Sequence, residues 1–343
     1  MKKILFASTA LVAFTGAAAA DVALSGRAEM GVYNPAGAAS WQFFTDIDVT
    51  FTMTGETDNG LTFGASDDLD EGGNAQSGPA PANAAGVAVV AGNQATQNNS
   101  DDGGATIFIS GSFGTVTMGD TDGALDWALT EAGNVGNPGS IADDETSHAG
   151  YFGSYHDGGN DGQILRWDYT SGDFGVAISL EDDNGSRAAN TNLGYAVGLK
   201  YNIDLGGTVV ALGVGYQERA DAAGITAKPK AAGVSASATL ANGFSAGITY
   251  TKLGSTAVGP AGAATPVDNH VGLGLGYTSG AISVHANYGK FSGTTGTPDR
   301  SGVGLSAAYD LGGGAVVHAG YGQGKVGNGP TSKTASLGLG LSF

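Results

Sequence analysis

Nine carboxylates crowd one stretch of this chain, Asp120, Asp122, Asp126, Glu131, Asp143, Asp144, Glu145, Asp157 and Asp161, and no lysine or arginine occurs anywhere between Arg27 and Arg166. At that density, acids without counter-charge either solvate a surface segment or, inside a passage with low-dielectric walls, set up a focused negative field that concentrates cations. Three Asp/Asn/Gly-dense patches, 67–71, 157–161 and 181–184, also offer hard oxygen ligands on pliant backbone, the donor type calcium takes. Asp157, Asn160 and Asp161 are the candidate calcium ligands, although no patch has the spacing of an EF-hand loop.

Catalytic patterns fare worse. Gly243-Phe244-Ser245-Ala246-Gly247 matches the hydrolase elbow, which requires a strand-to-helix turn, whereas here it opens a strand. His148, His156, His270, His285 and His318 show no spacing that suggests a base or a metal pair, and His285 and His318 read as polar residues of a lumen wall. The stretch 327–334 has Ser332 where a phosphate loop needs its second glycine. Neither an enzyme nor a nucleotide or nucleic-acid binder follows.

The elements that must position these groups are strands. Val22, Leu24, Gly26, Ala28, Met30 and Val32 alternate with Ala23, Ser25, Arg27, Glu29 and Gly31, and Phe43 to Met53 alternates with Phe44, Asp46, Asp48, Thr50 and Thr52. A period of two means β-structure. The pattern recurs along the chain and is punctuated by seven tight turns, at 55–60, 111–114, 171–173, 204–207, 241–243, 278–280 and 310–314. Seven hairpins plus a first and a last strand make sixteen, with short turns on one side and long loops on the other. That is the plan of a closed antiparallel transmembrane β-barrel. Alternation places Arg27, Glu29, Asp46, Asp48, Arg166, Asp168 and Lys200 on the lumen wall. Tyr169, Tyr201, Tyr277 and Tyr309 sit on the apolar face beside short turns, and Tyr216, Tyr250, Tyr288 and Tyr321 beside long loops, as two interfacial girdles would.

Bulk properties agree. Lys2 and Lys3, an apolar run and Ala18-Ala19-Ala20 form a signal peptide over 1–20, leaving a barrel domain over 21–343 and taking the formal charge from −18 to −20. The rest holds no apolar run of the roughly 20 residues a membrane helix needs. There is no cysteine, so neither disulfides nor thiolate metal sites are available.

The last strand sets Ala335, Leu337, Leu339, Leu341 and Phe343 on one face, a register that resembles the outer-membrane signal read by the barrel assembly machinery. The stretches SGRAEMGVYNP (25–35), FTMTGETDNGLTFGAS (51–66), IFISGSFGTVTMGDTDGA (107–124) and AYDLGGGAVVHAGY (308–321) resemble the trimeric general diffusion porins of alphaproteobacteria, of the Rhodobacter type. The resemblance implies a homotrimer among outer-membrane lipid and lipopolysaccharide, calcium near loops and interfaces, and passage of ions and small hydrophilic solutes. It also implies a third loop, from about Asp120 to Gly162, folded inward as a constriction carrying Asp120, Asp122, Asp126, Glu131, Asp143, Asp144 and Glu145. Its length fits a connection with a function. Porins of this type usually set basic residues opposite that loop; Arg27, Arg166 and Lys200 qualify, while Asp46 and Asp48 stand where relatives are often basic. The expectation is a cation-preferring porin. The rivals are a solute-specific channel, whose sign would be lumen-facing aromatics, and a secreted calcium-binding β-solenoid, which needs a short repeat that is not visible.

Overall fold

The computed structural model describes residues 21–36, 40–70, 104–153, 163–181, 193–219, 229–254 and 267–343. The first half of the wall comprises β1 (Asp21–Asn34), β2 (Gln42–Glu56), β3 (Thr62–Asp70), β4 (Thr106–Gly111), β5 (Gly114–Gly119), β6 (Ile164–Ser171), β7 (Phe174–Glu181) and β8 (Gly194–Asp204). The second comprises β9 (Thr208–Glu218), β10 (Lys230–Leu240), β11 (Phe244–Gly254), β12 (Val267–Ser279), β13 (Ile282–Gly293), β14 (Arg300–Gly312), β15 (Ala315–Val326) and β16 (Ser332–Ser342). Each strand pairs with its neighbours in sequence, and β1 pairs antiparallel with β16 from Arg27↔Ser342 to Asn34↔Ala335, so the sheet closes on itself. Closure pairs backbone groups around the ring, which leaves no open sheet edge to face hydrocarbon.

The seven short turns fall where the glycines placed them. Gly280 at the β12–β13 turn adopts φ +60° with open space around it, a conformation that costs glycine little. Strands run on into the charged and glycine-rich stretches beside the long loops: β3 continues to Asp70, β13 to Gly293 and β15 to Val326. Glycine and charge weaken a strand signal without preventing ladder pairing once a neighbouring strand is present.

Alternation sorts the side chains. Ile248, Leu273, Leu275, Leu305 and Leu337 stand on the outer surface, Leu275 at 64 % exposure, whereas Gly272, Gly274 and Gly276 beside them are buried. An apolar band this extensive on the outside is incompatible with a free globule in water. The apolar core lies inside the barrel: Ala124, Leu125 and Leu129, on and just after the short helix α1 (Ala124–Ala128), pack on Ala177, Ala196, Ala231, Leu253, Val267 and Phe291 of the wall.

Candidate functional site: the constriction loop and its wall

After β5 the chain turns into the barrel and crosses the inner faces of most of the wall before returning. Arg166 of β6 fixes its root. Its Nη1 donates to the Asp122 carbonyl at 2.7 Å and to Thr121 Oγ1 at 3.3 Å, and its Nε to Asp168 Oδ1 at 3.1 Å. Further on, the Ala124 N–H donates to Ser179 Oγ at 2.9 Å, and the Lys200 ammonium sits 3.5 Å above the Trp127 ring, a cation–π contact. The Thr130 and Ala132 N–H groups then donate to Ser235 Oγ (2.8 Å) and Thr249 Oγ1 (3.2 Å). A 3-10 turn over Ala132–Asn134 lies on β11 to β13, and Ile141 reaches the β16–β1 seam against Gly31 and Gly338. The chain reverses there through Asp143, at φ 45°, a left-handed conformation that aspartate tolerates better than most residues.

Glycines make this path possible. A Cβ built on Gly198 would lie 1.9 Å from the Ala124 carbonyl oxygen, on Gly274 1.8 Å from Ala132 O, on Gly304 2.0 Å from Glu145 O and on Gly322 2.0 Å from Asp144 O. The loop backbone rests directly on wall backbone, and no side chain fits between. This seat escaped the sequence reading, although its signal was present as inward glycines recurring on successive strands.

The acids of the loop divide. Asp120, Asp122 and Asp143 are exposed, and Asp126 and Glu131 are half-buried, Glu131 accepting the Tyr151 hydroxyl at 2.5 Å. Asp144 and Glu145, expected to line the constriction, are each 1 % exposed and lie in the loop–wall contact instead. Glu145 accepts Ser140 Oγ at 2.5 Å and Asn137 Nδ2 at 2.9 Å, so it serves as an internal acceptor for the loop's own donors. Burial pushes the Asp144 carboxyl above the usual range, offset by the Ser336 and Thr334 hydroxyls beside it. Asp120 is raised as well, first by partial desolvation and then by Asp122. Tyr151 is raised by burial and by Glu131.

All seven wall residues face inward, in unequal settings. Arg27 pairs with Glu29 on its own strand and feels Asp143 and Asp48 electrostatically, while its side chain stays half exposed. Register puts Asp48 opposite Arg27 and Asp46 opposite Glu29. Glu29 and Asp46 are buried. The three expected wall cations are therefore engaged, Arg27 by Glu29, Arg166 by Asp168 and the loop root, and Lys200 by Trp127. The inner faces of β2 to β5, away from the loop seat, present Asp48, Thr50, Thr52, Asp68, Ser110, Thr115 and Thr117, with Thr50 donating to Asp68 at 3.0 Å. His285 and His318 do point inward, but they are buried beneath the loop, bonded to its carbonyls, and do not line water. No group of three or more His, Asp or Glu suited to a metal occurs among the described residues, and Asp157, Asn160 and Asp161 lie outside them, as do residues 1–20 and His156.

A closed sixteen-stranded barrel with an apolar exterior and an inward loop has known counterparts. The family model for Gram-negative porins matches residues 7–329. The porin of Rhodobacter capsulatus is 31 % identical over 340 residues, covering 94 % of this chain and all of the relative. A refined porin structure at 24 % identity superposes with a TM-score of 0.62, and a triple mutant of the Rhodopseudomonas blastica porin at 19 % identity with 0.63; each match covers 94 % of this chain and all of the other. The chain therefore belongs to the Gram-negative porins and forms a channel in the outer membrane.

Proposed function

We propose that the channel prefers cations and passes them with small hydrophilic solutes by passive diffusion, as a homotrimer. The observation that carries this reading is the exposed acid of the loop: Asp120, Asp122 and Asp143 are exposed, Asp143 acts together with Asp48 of the wall on Arg27, and Arg27, Arg166 and Lys200 are already engaged by Glu29, Asp168 and Trp127. Water-filled space bounded by low-dielectric wall focuses such a field. The test is the reversal potential across a planar bilayer in a salt gradient. The triple substitution Asp120→Asn, Asp122→Asn, Asp143→Asn should move it toward zero, whereas Asp144→Asn, at a buried site, should leave it in place. Equal shifts from both would refute the assignment.

The same reading places the loop ends in an outer leaflet containing lipopolysaccharide, with Phe343 read by the assembly machinery. Support comes from five lysines on the outward faces of β10, β11, β13, β15 and β16 near their loop ends: Lys230, Lys252, Lys290, Lys325 and Lys333. The first three pair with Glu218 (3.1 Å), Asp268 and Asp299 (2.8 Å), whereas Lys325 and Lys333 have no carboxylate within ion-pair distance among the described residues. Each lysine near an anionic surface contributes about 1 kcal/mol. The Lys325→Gln, Lys333→Gln variant is expected to retain about an order of magnitude less phosphorylated glycolipid through purification, read by native mass spectrometry.

A further inference from the structure

All four described histidines lie between the constriction loop and the wall, and two of them converge on one residue. His148 Nδ1 accepts the Gly150 N–H at 3.1 Å. Its proton is therefore on Nε2, which faces Asn287 Oδ1 at 2.8 Å; the Asn287 amide nitrogen is committed to the Gly133 and Glu145 carbonyls, so its oxygen is the acceptor. His270 Nε2 donates to the Gly150 carbonyl at 2.9 Å, and its Nδ1 is buried with no hydrogen-bond partner among the described residues. Two imidazoles thus hold both polar groups of Gly150, where the loop backbone presses on Gly289, whose Cβ would lie 1.9 Å from Gly150 O.

We propose that His148 and His270 are positioning residues that catch the return arm of the constriction loop only while both rings are neutral, so that acid releases this arm and alters the passage. The consequence for flux rests on the reading of the loop as the constriction. Protonated His148 would turn an Nδ1–H toward the Gly150 N–H, donor against donor. Protonated His270, 3 % exposed, would place a cation between Phe152 and Phe291, with ring centroids 5.2 and 4.5 Å away, and a second N–H without an acceptor. The titratable and charged groups around the pair are each other; Tyr151, whose ring meets His148 edge-on at 6.1 Å and whose hydroxyl serves Glu131; Arg300 of β14, which lines the same cavity as His148; and His285, whose Nε2 lies 3.4 Å from the Asn287 amide nitrogen; no carboxylate acts on His270. Burial holds His148 below its ordinary value of 6.5, so the catch is intact above that pH and is lost as pH falls through the lowered value.

The outgoing arm is held by a different geometry, without a donor that protonation would oppose. His285 has Val135 O at 3.0 Å from Nδ1 and Gly133 O at 2.8 Å from Nε2, so a second ring N–H would meet an acceptor already in place. His318 Nδ1 meets Gly139 O at 3.1 Å and so donates to the loop in its neutral form. Acid therefore loosens residues 148–152 and spares residues 124–135.

Hydrogen exchange of the full mature porin in detergent or lipid, corrected for intrinsic rates, tests this directly. Between about pH 7.5 and about pH 3.5, residues 148–152 should lose protection by roughly tenfold or more while 124–135 hold theirs. Bilayer conductance should change with the same midpoint. The double variant His148→Asn, His270→Gln keeps an acceptor for the Gly150 N–H and a donor for its carbonyl but cannot titrate, and should flatten both profiles. Both arms loosening together, neither loosening, or a double variant that keeps the transition would each overturn the catch. Should that variant not assemble, the comparison of the two arms in the unaltered protein decides. An exchange transition without a conductance change would uphold the catch and refute the loop as constriction.

Discussion

Gly274→Val is expected to drive the constriction loop off the wall and into the passage. A Cβ at this position stands 1.8 Å from the Ala132 carbonyl oxygen and 3.0 Å from its carbon. No rotamer relieves that contact, because both sides are backbone. Overpacking of this kind costs about 1–3 kcal/mol where the surroundings shift partway. The 3-10 turn is the part that must give, since β12 is held by β11 and β13 on either side. Smaller single-channel steps and faster proteolysis within residues 124–152 should follow. Conductance equal to that of the parent would show that the loop does not rest on this glycine.

One residue further along, Leu275→Arg should leave the loop seated and damage the barrel from the other side. Leu275 points outward, flanked in register by Ala246 and Ala286. A guanidinium on a lipid-facing strand near the bilayer midplane costs about 2–4 kcal/mol. The urea midpoint in lipid vesicles should fall, while the conductance of the molecules that do fold should stay near the parental value. Adjacent substitutions with separate failures, one in permeation and one in stability, are what a period of two requires. If Leu275→Arg folded as stably as the parent, the outer band would not be facing hydrocarbon.

These neighbours also mark how far the primary structure could be read. Seven turns and sixteen strands were legible because tight hairpins need glycine, asparagine or aspartate at fixed places and because a wall between lipid and lumen imposes strict alternation. Leu275 announced its side by that rule. Asp144 and Glu145 could not, because an irregular loop has no period, and burial there follows from where Gly304 and Gly322 let backbone approach backbone and Gly320 leaves room for the Ser140 and Asp144 side chains. Gly274 was legible as inward and small, yet what fills the space above a glycine belongs to a segment more than a hundred residues away. His285 and His318 show the same limit: inward was right, wet was wrong, since the loop supplies carbonyls that take the place of solvent. Arg166 was identified as a wall cation, but its bond to the Asp122 carbonyl, which pins the loop root, has no signature in spacing.

The seam between β1 and β16 carries a kinetic consequence. Gly26 and Phe343 exchange backbone hydrogen bonds, Phe343 N–H to Gly26 O at 2.9 Å and Gly26 N–H to Phe343 O at 3.3 Å, so β1, paired with β2 along one edge, finds a partner for its other edge only in the last strand. Contacts of such separation are slow to form. Until that partner arrives, the outer edge of β1 must be shielded from pairing with other chains, and a polypeptide halted before its final strand leaves two open edges and no ring.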